Sequence, residues 1–207
     1  MFIKRMKEKF KCNEPIFTTE IMVLFIEYSH AYVFRLIDKA LKKGELIKFE
    51  AGVYYIPEKS IIGTSTITTE DVARKRYISY NNFIYGIYSG LMLINLFSIT
   101  SQVPNTIEIV TNNETTRKRE ISIDGRTVIL RRSRCEITKD NASAYTILQL
   151  FTDIDKETKL SASAKNNIIN YMKSNKVKDE DLFALSKYFP AKTMKNLLMS
   201  GVLYDIA

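Results

Sequence analysis

Apolar residues in the first 45 positions recur three or four apart, which is the spacing of amphipathic helices. The helix-breaking run Asn13-Glu14-Pro15 ends the first periodic segment. A second, shorter helix is predicted where Thr18 or Thr19 can accept from an otherwise unpaired backbone N–H. A third is predicted over about residues 29–43, because Gly44 follows where a left-handed C-cap is favoured. We therefore expect three helices before position 45.

Strand-like spacing follows these helices. Residues 46–49 and 53–56 are short apolar segments joined by the turn Glu50-Ala51-Gly52, and Pro57 ends the second segment. Three helices followed by a β-hairpin is the element order of a winged helix-turn-helix domain. Residues 1–60 are therefore predicted to form such a domain.

The third helix has two chemically different faces at 100° per residue. The apolar side is predicted to contain Val33, Phe34, Ile37, Ala40 and Leu41. The opposite side combines one aromatic residue with three cations, namely Tyr32, Arg35, Lys39 and Lys42. This layout is typical of a recognition helix that lies in the DNA major groove. The alternative, an ordinary surface helix whose lysines only solvate it, has the same pattern, and the position of the helix before a hairpin favours the recognition role.

The hairpin supplies two further candidate DNA contacts, Tyr54 and Tyr55. Successive strand residues point to opposite faces. We therefore expect one tyrosine to face the core and its neighbour to face outward, towards DNA.

A second domain is predicted over residues 69–207, after a linker or extended connection at 58–69. A helix should begin near Thr69 and present the basic cluster Arg74-Lys75-Arg76. The next segment is apolar nearly all round, and it predicts a buried helix containing Ile84, Ile87, Leu91 and Ile94.

Strands and then helices complete this domain. Three segments are strand-like, 107–111, 117–123 and 127–132, with Asp124-Gly125 as a hairpin turn. The remainder, from about residue 141, is predicted to be helical, with breaks around 153–161, at 177–179 and at 190. The predicted fold class is α+β: an N-terminal winged helix-turn-helix followed by a mixed α/β domain with a helical C-terminal part.

The chain carries a formal net charge of +8, which makes a polyanion a natural partner. The excess is concentrated in the predicted second-domain hairpin and its flanks, with Arg117, Lys118, Arg119, Arg126, Arg131, Arg132 and Arg134. These side chains could grip DNA phosphates or receive an acidic protein partner, and the sequence favours neither.

Residue usage argues against an enzyme. The only histidine is His30, which excludes a histidine-based triad or a multi-histidine metal site. A glycine-rich phosphate loop and a nucleophile elbow are also missing from the sequence. Two acidic clusters, 153–157 (Asp153, Asp155, Glu157) and 179–181 (Asp179, Glu180, Asp181), could bind a metal, and loop solvation and helix N-terminal charge are the favoured interpretation. We expect no cofactor and no metal.

The chain is expected to act in the cytoplasm. Cys12 and Cys135 are widely separated and fit no disulfide framework. Lysines and arginines interrupt the first twelve residues, where a signal peptide needs an apolar core. The uncharged run 77–107 contains several Asn, Ser and Thr residues, so its apolar part is shorter than the roughly 20 residues of a spanning helix.

Two stretches resemble the AbiEi-type antitoxins and related regulators of bacterial toxin-antitoxin operons. PIFTTEIM with VFRLIDKALKKGELIKFEAGVYYIPEKS is similar to the family's N-terminal winged helix. GLMLINLFSITSQVPNTIEIVTN is similar to the start of its antitoxin domain, and this stretch makes the match specific. The resemblance covers about half of the chain.

The resemblance implies a transcriptional repressor that binds inverted repeats in double-stranded DNA upstream of its own operon. It also implies an antitoxin that counteracts a co-encoded nucleotidyltransferase-like toxin. Three other interpretations stay open: a stand-alone regulator without a toxin, a winged helix used only as a protein-binding module, and an enzyme acting on nucleic acid.

Overall fold

A computed structural model describes residues 2–60, 63–155 and 160–204. The chain mixes helices with strands, as an α+β protein does. It divides into a first unit, Met1–Lys75, and a second unit, Arg76–Ala207. The division falls inside the helix Thr69–Tyr77, whereas the sequence analysis began the second domain at the start of that helix.

The first unit contains three helices and several short strands, and it ends within a fourth helix. In chain order its elements are α1 (Phe2–Lys9), β1 (Ile16–Phe17), α2 (Thr18–Leu24), α3 (His30–Lys42), β2 (Ile47–Glu50), β3 (Val53–Tyr55), β4 (Lys59–Ser60) and β5 (Gly63–Thr64). The helix α4 (Thr69–Tyr77) follows. β3 is the central strand of a three-stranded antiparallel sheet with the order β1-β3-β2. The strand β1 was missing from the sequence prediction, because two residues are too few for a period to register.

Local chemistry sets the ends of α2 and α3. The carboxylate of Glu20 accepts from the N–H of Phe17 at 2.8 Å, while the Thr18 hydroxyl donates to the carbonyl of Gly52. Glu20 therefore caps α2, and the predicted threonine cap is wrong. The hydroxyl of Ser29 accepts from the N–H of Tyr32 and caps α3. Gly44 has a φ of 65°, the left-handed conformation predicted for it, and ends the helix.

The core of the first unit lies between the helices and one face of the sheet. It consists of Met6, Phe10, Ile16, Ile21, Phe25, Val33, Ile37, Ala40, Leu46, Tyr54 and Ile56. Tyr54 is 7% exposed and Tyr55 is 4% exposed. The expectation that one of them is exposed is wrong, because Tyr54 belongs to this core and Tyr55 is also buried. The hydroxyl of Tyr55 lies 3.4 Å from that of Thr66.

The predicted connection 58–69 is an integral part of the first unit. β4 pairs with β5, and Ile67 is only 3% exposed. The Ser65 hydroxyl donates to the side-chain carbonyl of Asn13 and accepts from the N–H of Glu58. These contacts join the segment to residues before α2, so of the two predicted alternatives the extended connection fits and the linker does not.

Lys75 is buried and does not join an exposed basic cluster as predicted. Its Nζ lies 2.9 Å from a carboxylate oxygen of Glu14 and 2.9 Å from one of Glu20. It also donates to the carbonyl of Pro15 at 2.6 Å. The side chain is 7% exposed, whereas that of Arg74 beside it is 54% exposed. A cation on α4 thus joins the segment before β1 to the first turn of α2.

The second unit contains a four-stranded sheet and five helices among its described residues. After the end of α4, its elements are β6 (Ser79–Tyr80), β7 (Phe83–Ile84), β8 (Gly86–Tyr88), α5 (Gly90–Leu96), β9 (Ile107–Thr111), β10 (Arg119–Ile123), β11 (Arg126–Arg132), α6 (Ala142–Asp153), α7 (Ala162–Ser174), α8 (Asp179–Ser186) and α9 (Ala191–Ser200). The sheet has the order β10-β11-β9-β8, and among these described strands β11 and β9 form the parallel pair. The three long strands and the hairpin turn at Asp124-Gly125 confirm the sequence prediction, and both turn residues have positive φ.

The predicted buried helix around Ile84 to Ile94 is wrong. Residues 83–84 and 86–88 are strands, and only Gly90–Leu96 is helical. Leu91 is 45% exposed, so the short helix is amphipathic. The asparagines and glycines that interrupt the apolar run provide the turns, since Asn81, Asn82 and Gly90 all have positive φ.

The central element of the second unit is instead α6, in which ten of twelve residues are buried. Around it pack α5, α8 and α9. The predicted helix breaks are confirmed: α6 ends at Asp153, α8 begins at Asp179 and α9 begins directly after Pro190. None of the helices in the described ranges combines the length and apolar character that crossing a lipid bilayer requires.

Tyr145 on α6 should make the second unit sensitive to alkaline pH. Its side chain is fully buried, its hydroxyl oxygen accepts from the N–H of Arg134 at 2.8 Å, and burial raises its pKa to about 12. An unfolded tyrosine ionises near pH 10. The unfolded state therefore loses its proton first, and stability should fall as the pH rises from about 10 to about 12, by about 2 to 3 kcal/mol.

Urea unfolding of Tyr145→Phe and wild type at about pH 8 and pH 11.5 checks this prediction. The variant should be less stable by about 1 kcal/mol at the lower pH, because the hydrogen bond is lost. At the higher pH this difference in the free energy of unfolding between the variant and wild type should disappear or change sign. Tyr188→Phe, at a side chain that is 44% exposed, is the matched control and should track wild type at both values. An unchanged difference for Tyr145→Phe would contradict the assigned pKa.

Candidate functional site

The predicted DNA-binding stripe of α3 is exposed along its whole length. Val33, Ile37 and Ala40 are between 0% and 3% exposed and form the buried side of the helix. The candidates on the opposite side, Tyr32, Arg35, Lys39 and Lys42, are all exposed. At 100° per residue these four fall within about 80° of one another, facing away from the buried three. One aromatic ring and three cations can therefore contact a ligand together.

Phe34 does not belong to the core as the sequence analysis expected. Its side chain is 46% exposed. Position 34 lies at one edge of the apolar face of α3, about 100° around the helix from Val33. Only the middle of that face packs against the core, so a residue at its edge is left exposed. The prediction for Val33, Ile37 and Ala40 is confirmed, and Leu41 is partly buried against the core.

Aromatic rings extend from the core to the exposed stripe. The rings of Phe2 and Phe25 stack at 4.8 Å between centroids, Tyr28 follows Phe25 at 6.4 Å, and Tyr32 follows Tyr28 at 5.1 Å. The Arg5 guanidinium lies 4.9 Å from the Phe25 centroid and forms an ion pair with Glu27. This row fixes the turn between α2 and α3 and thereby the start of the stripe.

The same turn exposes aliphatic side chains. Val23 at the end of α2 is 72% exposed, and Ile26 in the turn is 80% exposed. Sequence reasoning assigned no role to either residue. Single exposed apolar residues are ordinary, but two of them three positions apart next to the start of α3 give this turn an apolar character that phosphate binding does not require.

The structure divides the seven cations of the second-unit hairpin into two groups. Three are held by protein groups. Arg119 Nε lies 2.9 Å from a carboxylate oxygen of Glu114, and Arg131 lies 3.2 Å from one of Glu108. Arg126 donates to the backbone carbonyls of residues 104 and 105, at 3.0 and 2.8 Å. Because these three side chains already bond to protein groups, they are less available to bind a phosphate.

Glu114 is itself nearly buried, with 3% of its side chain exposed. The N–H of Thr116 lowers the pKa of Glu114, assisted by the Thr116 hydroxyl, the N–H of Thr115 and the charge of Arg119. The carboxylate organises the loop before β10. Arg119 is therefore oriented by the loop it follows.

The other four cations, Arg117, Lys118, Arg132 and Arg134, are exposed. Arg117 and Lys118 precede β10, and Arg132 ends β11. The Arg134 guanidinium lies 5.5 Å from the centroid of Phe189, a cation–π distance that leaves its outer edge open to solvent. These four side chains are the ones available to an anionic partner.

A polar cleft of about 400 Å³ in the second unit escaped sequence reasoning. Its lining includes Glu108, Arg131, Arg134 and Asp153. Asp153 accepts from the N–H of Gly90 at 2.7 Å and from the side chain of Gln149 at 2.8 Å. Residue 90 has a φ of 58°, a conformation that favours glycine, and a Cβ there would displace the carboxylate of Glu108. Both carboxylates thus meet the start of α5.

Burial raises the pKa of Asp153 above its usual range. Asp153 ends a buried helix and is not a solvated loop acid, but it does lie at the N-terminus of another helix, α5, which is the second role predicted for this cluster. Asp155 is exposed, and Glu157 lies outside the described residues. The other acidic cluster does fill the first turn of α8, as predicted. Sequence reasoning missed the cleft because Glu108 and Asp153 are 45 positions apart and follow no motif.

Within the described ranges, no three His, Cys, Asp or Glu side chains are grouped so that they could hold a metal ion. His30 is exposed at the first position of α3.

Residues 7–181 match the model of a family of unknown function, DUF6088. Since the match spans most of the chain, the protein belongs to this family. No curated protein matches the chain.

Proposed function

We propose that this DUF6088 protein is a DNA-binding transcriptional regulator whose first unit is a winged helix-turn-helix. The observation that carries the proposal is the face of α3 opposite the buried Val33, Ile37 and Ala40. Its exposed residues are Tyr32, Arg35, Lys39 and Lys42. In this proposal α3 lies in the major groove, where arginine and lysine donate to guanine and phosphate oxygens.

The topology of the first unit supports this assignment. The succession α1, β1, α2, α3, β2, β3 with a sheet of order β1-β3-β2 is compatible with a winged helix. In this arrangement β2, β3 and their turn form the wing. Lys48 on β2 is exposed, so wing contacts are assigned to it and to the turn rather than to the buried Tyr54 and Tyr55.

The proposed biological role is repression of the protein's own operon in the cytoplasm, with antitoxin activity against a nucleotidyltransferase-like toxin. This part rests on the resemblance to AbiEi-type antitoxins. A repressor of this kind binds an inverted repeat, so two copies of α3 would occupy successive major grooves about one helical turn apart. The positive net charge of +8 favours the approach to DNA.

Replacing Arg35 and Lys39 together by alanine should weaken binding to the operator while the fold is kept. Both side chains are exposed on the stripe of α3, and the removal of each base-specific interaction costs about 1 to 3 kcal/mol. The measurement is a titration of a fluorescent duplex carrying the upstream inverted repeat, with an unrelated duplex in parallel.

Lys192 and Lys195 on α9 provide the matched control, since both are exposed on a helix of the second unit. Their double alanine variant removes the same net charge and should bind the operator within about twofold of wild type. Operator binding by a folded Arg35/Lys39 variant that equals the control would remove α3 from the recognition role.

The exposed hairpin cations should grip phosphates without distinguishing sequences. Replacing Arg117, Lys118 and Arg132 by alanine should weaken binding to the operator and to unrelated duplexes about equally. The slope of log affinity against log salt concentration should become shallower by roughly 0.9 for each phosphate that is no longer neutralised. Binding measured across a salt series checks this, with Arg119→Ala as a comparison because Glu114 already holds that side chain. If the slope is unchanged while rescue of cells expressing the toxin is lost, the hairpin serves the antitoxin role instead.

A protein-binding module is the second candidate function, and the exposed aliphatic residues of the α2–α3 turn favour it. Val23 and Ile26 would be desolvated in a protein interface. If this function is correct, Ile26→Ser should abolish partner binding and leave DNA binding intact. If the unit binds DNA, its affinity for a duplex should fall steeply as the salt concentration rises.

A further inference from the structure

A cavity of about 490 Å³ lies in the second unit, between β8 and the helices α5, α6 and α7. This volume is within the range of small-molecule sites, roughly 300 to 1,000 Å³. Leu96 and Asn175 of its lining are exposed, so the cavity opens to solvent and a ligand can enter it. The lining is mostly apolar, with Ile87, Leu93, Phe97 and Tyr171 among its residues.

Contacts between α5 and α7 support the wall of this cavity. The ring of Phe97 meets that of Tyr171 edge-on at 5.2 Å. The side-chain amide of Asn167 donates to the carbonyl of Phe97 at 3.4 Å. Asn167, Tyr171 and Asn175 follow one another four positions apart on α7 and its C-cap, so they lie on one side of that helix.

The lining contains no charged side chain; all fourteen lining residues belong to the described part of the chain. An ionised ligand would lose its hydration without gaining a counter-charge, which is costly in an apolar site. A neutral ligand avoids this cost. The apolar walls match an aromatic or alicyclic body.

The polar side chains of the cavity can accept hydrogen bonds from a ligand. The NH₂ group of Asn175 donates to the carbonyl of Tyr171 at 2.8 Å, and that of Asn167 is engaged as described. The hydroxyl of Thr146 donates to the carbonyl of Ala142 at 2.7 Å. Each of these side chains therefore keeps an oxygen with which it can accept from a ligand.

We propose that this cavity binds an uncharged, largely apolar small molecule that carries an N–H or O–H donor. The apolar body occupies the space between Leu93, Phe97 and Tyr171, and the donor is directed to the amide oxygens of α7. The site belongs wholly to the second unit and does not depend on DNA binding by the first.

Two probes of the same shape and different charge test the proposal on the full chain. Naphthalene-2-carboxamide is neutral and donates, whereas naphthalene-2-carboxylate is an anion without a donor. By calorimetry and by the shift in melting temperature, the amide should bind saturably with one site per chain. The carboxylate should bind at least about tenfold more weakly.

Ser143→Phe and Ser163→Phe are the matched variants. Ser143 on α6 lines the cavity, and Ser163 on α7 is exposed and does not line it. The first should abolish amide binding because the ring occupies the site, and the second should leave it unchanged. Circular dichroism of both variants establishes that they are folded.

Asn167→Leu keeps the proposal testable if Ser143→Phe does not fold. This variant should weaken the amide about tenfold, the value of one hydrogen bond, and leave binding of plain naphthalene unchanged. Equal affinity for the amide and the carboxylate, saturable binding that survives in folded Ser143→Phe, or no binding of the amide to wild type would each overturn the proposal. Operator binding, measured in the same samples, reports separately on the proposed function.

Discussion

Ile37→Asp is expected to unfold the first unit. Ile37 lies in the middle of the buried side of α3, with 1% of its surface exposed, and it belongs to the core cluster that joins the helices to the sheet. The substitution removes a buried aliphatic side chain and places an unpaired carboxylate among apolar groups. A loss of about 4 kcal/mol or more follows, which is a large part of the stability of a small domain.

Hydrogen exchange resolved by residue provides the measurement, because it separates the two units. Amides of α1 to α3 in the variant should lose their protection, and operator binding should be lost with them. Lys39→Asp inserts the same acid on the exposed side of the same helix and should change the stability of the first unit by no more than about 1 kcal/mol. Retained protection in Ile37→Asp would mean that the buried and exposed faces of α3 are interchanged.

The faces of α3 could be predicted because a helix of 13 residues contains more than three turns. Over that length the apolar period is unambiguous, and only Phe34, at the edge of the apolar face, was assigned to the wrong side. The hairpin of β10 and β11 was equally accessible, since Asp124-Gly125 has one dominant turn geometry. Long periods and strong turn signals are local properties, and they can be interpreted without knowledge of the tertiary structure.

Tertiary contacts account for the predictions that were wrong. Alternation along β3 was interpreted as one tyrosine in and one out, but Tyr55 is also buried, and its hydroxyl lies 3.4 Å from that of Thr66. The run from Ile84 to Ile94 is apolar enough for a buried helix, yet Gly86 and Gly90 divide it into a strand and a short helix. In this run the positions of the glycines therefore indicate the secondary structure better than the spacing of the apolar residues does.

The exposed stripe of α3 was the part of the candidate site that the sequence placed correctly on the surface. The sequence could not show which cations of the second-unit hairpin bond to other protein groups and which are exposed. Arg119, Arg126 and Arg131 have the same residue type as Arg117 and Arg132, and only Glu114, Glu108 and two backbone carbonyls distinguish them. Those partners lie up to 23 positions away, at distances that no local pattern specifies.

Lys75→Met is expected to destabilise the first unit by about 3 to 5 kcal/mol. The lysine ammonium lies 2.9 Å from both Glu14 and Glu20, whose side chains are 25% and 18% exposed. Its removal leaves two partly buried carboxylates facing each other without a counterion, and it leaves the carbonyl of Pro15 without its donor. Methionine has a similar length, so the effect comes from charge and hydrogen bonding rather than from a cavity.

Arg74→Met and a compensated variant make this prediction specific. Arg74, the neighbour of Lys75 on α4, forms an exposed pair with Asp71, and its loss should cost no more than about 1 kcal/mol in urea unfolding. Adding Glu14→Gln and Glu20→Gln to Lys75→Met should restore most of the lost stability, because a neutral cluster needs no counterion. The amide oxygen that Glu20→Gln introduces can still accept from the N–H of Phe17 and preserve the cap of α2. If Lys75→Met costs no more stability than Arg74→Met, or if the triple variant is less stable than the single one, the buried ammonium does not neutralise the two acids. The joining of α4 to the start of α2 would then rest on apolar contacts, with the rings of Phe10 and Phe17, whose centroids lie 5.5 Å from the lysine Nζ, as the nearest candidates.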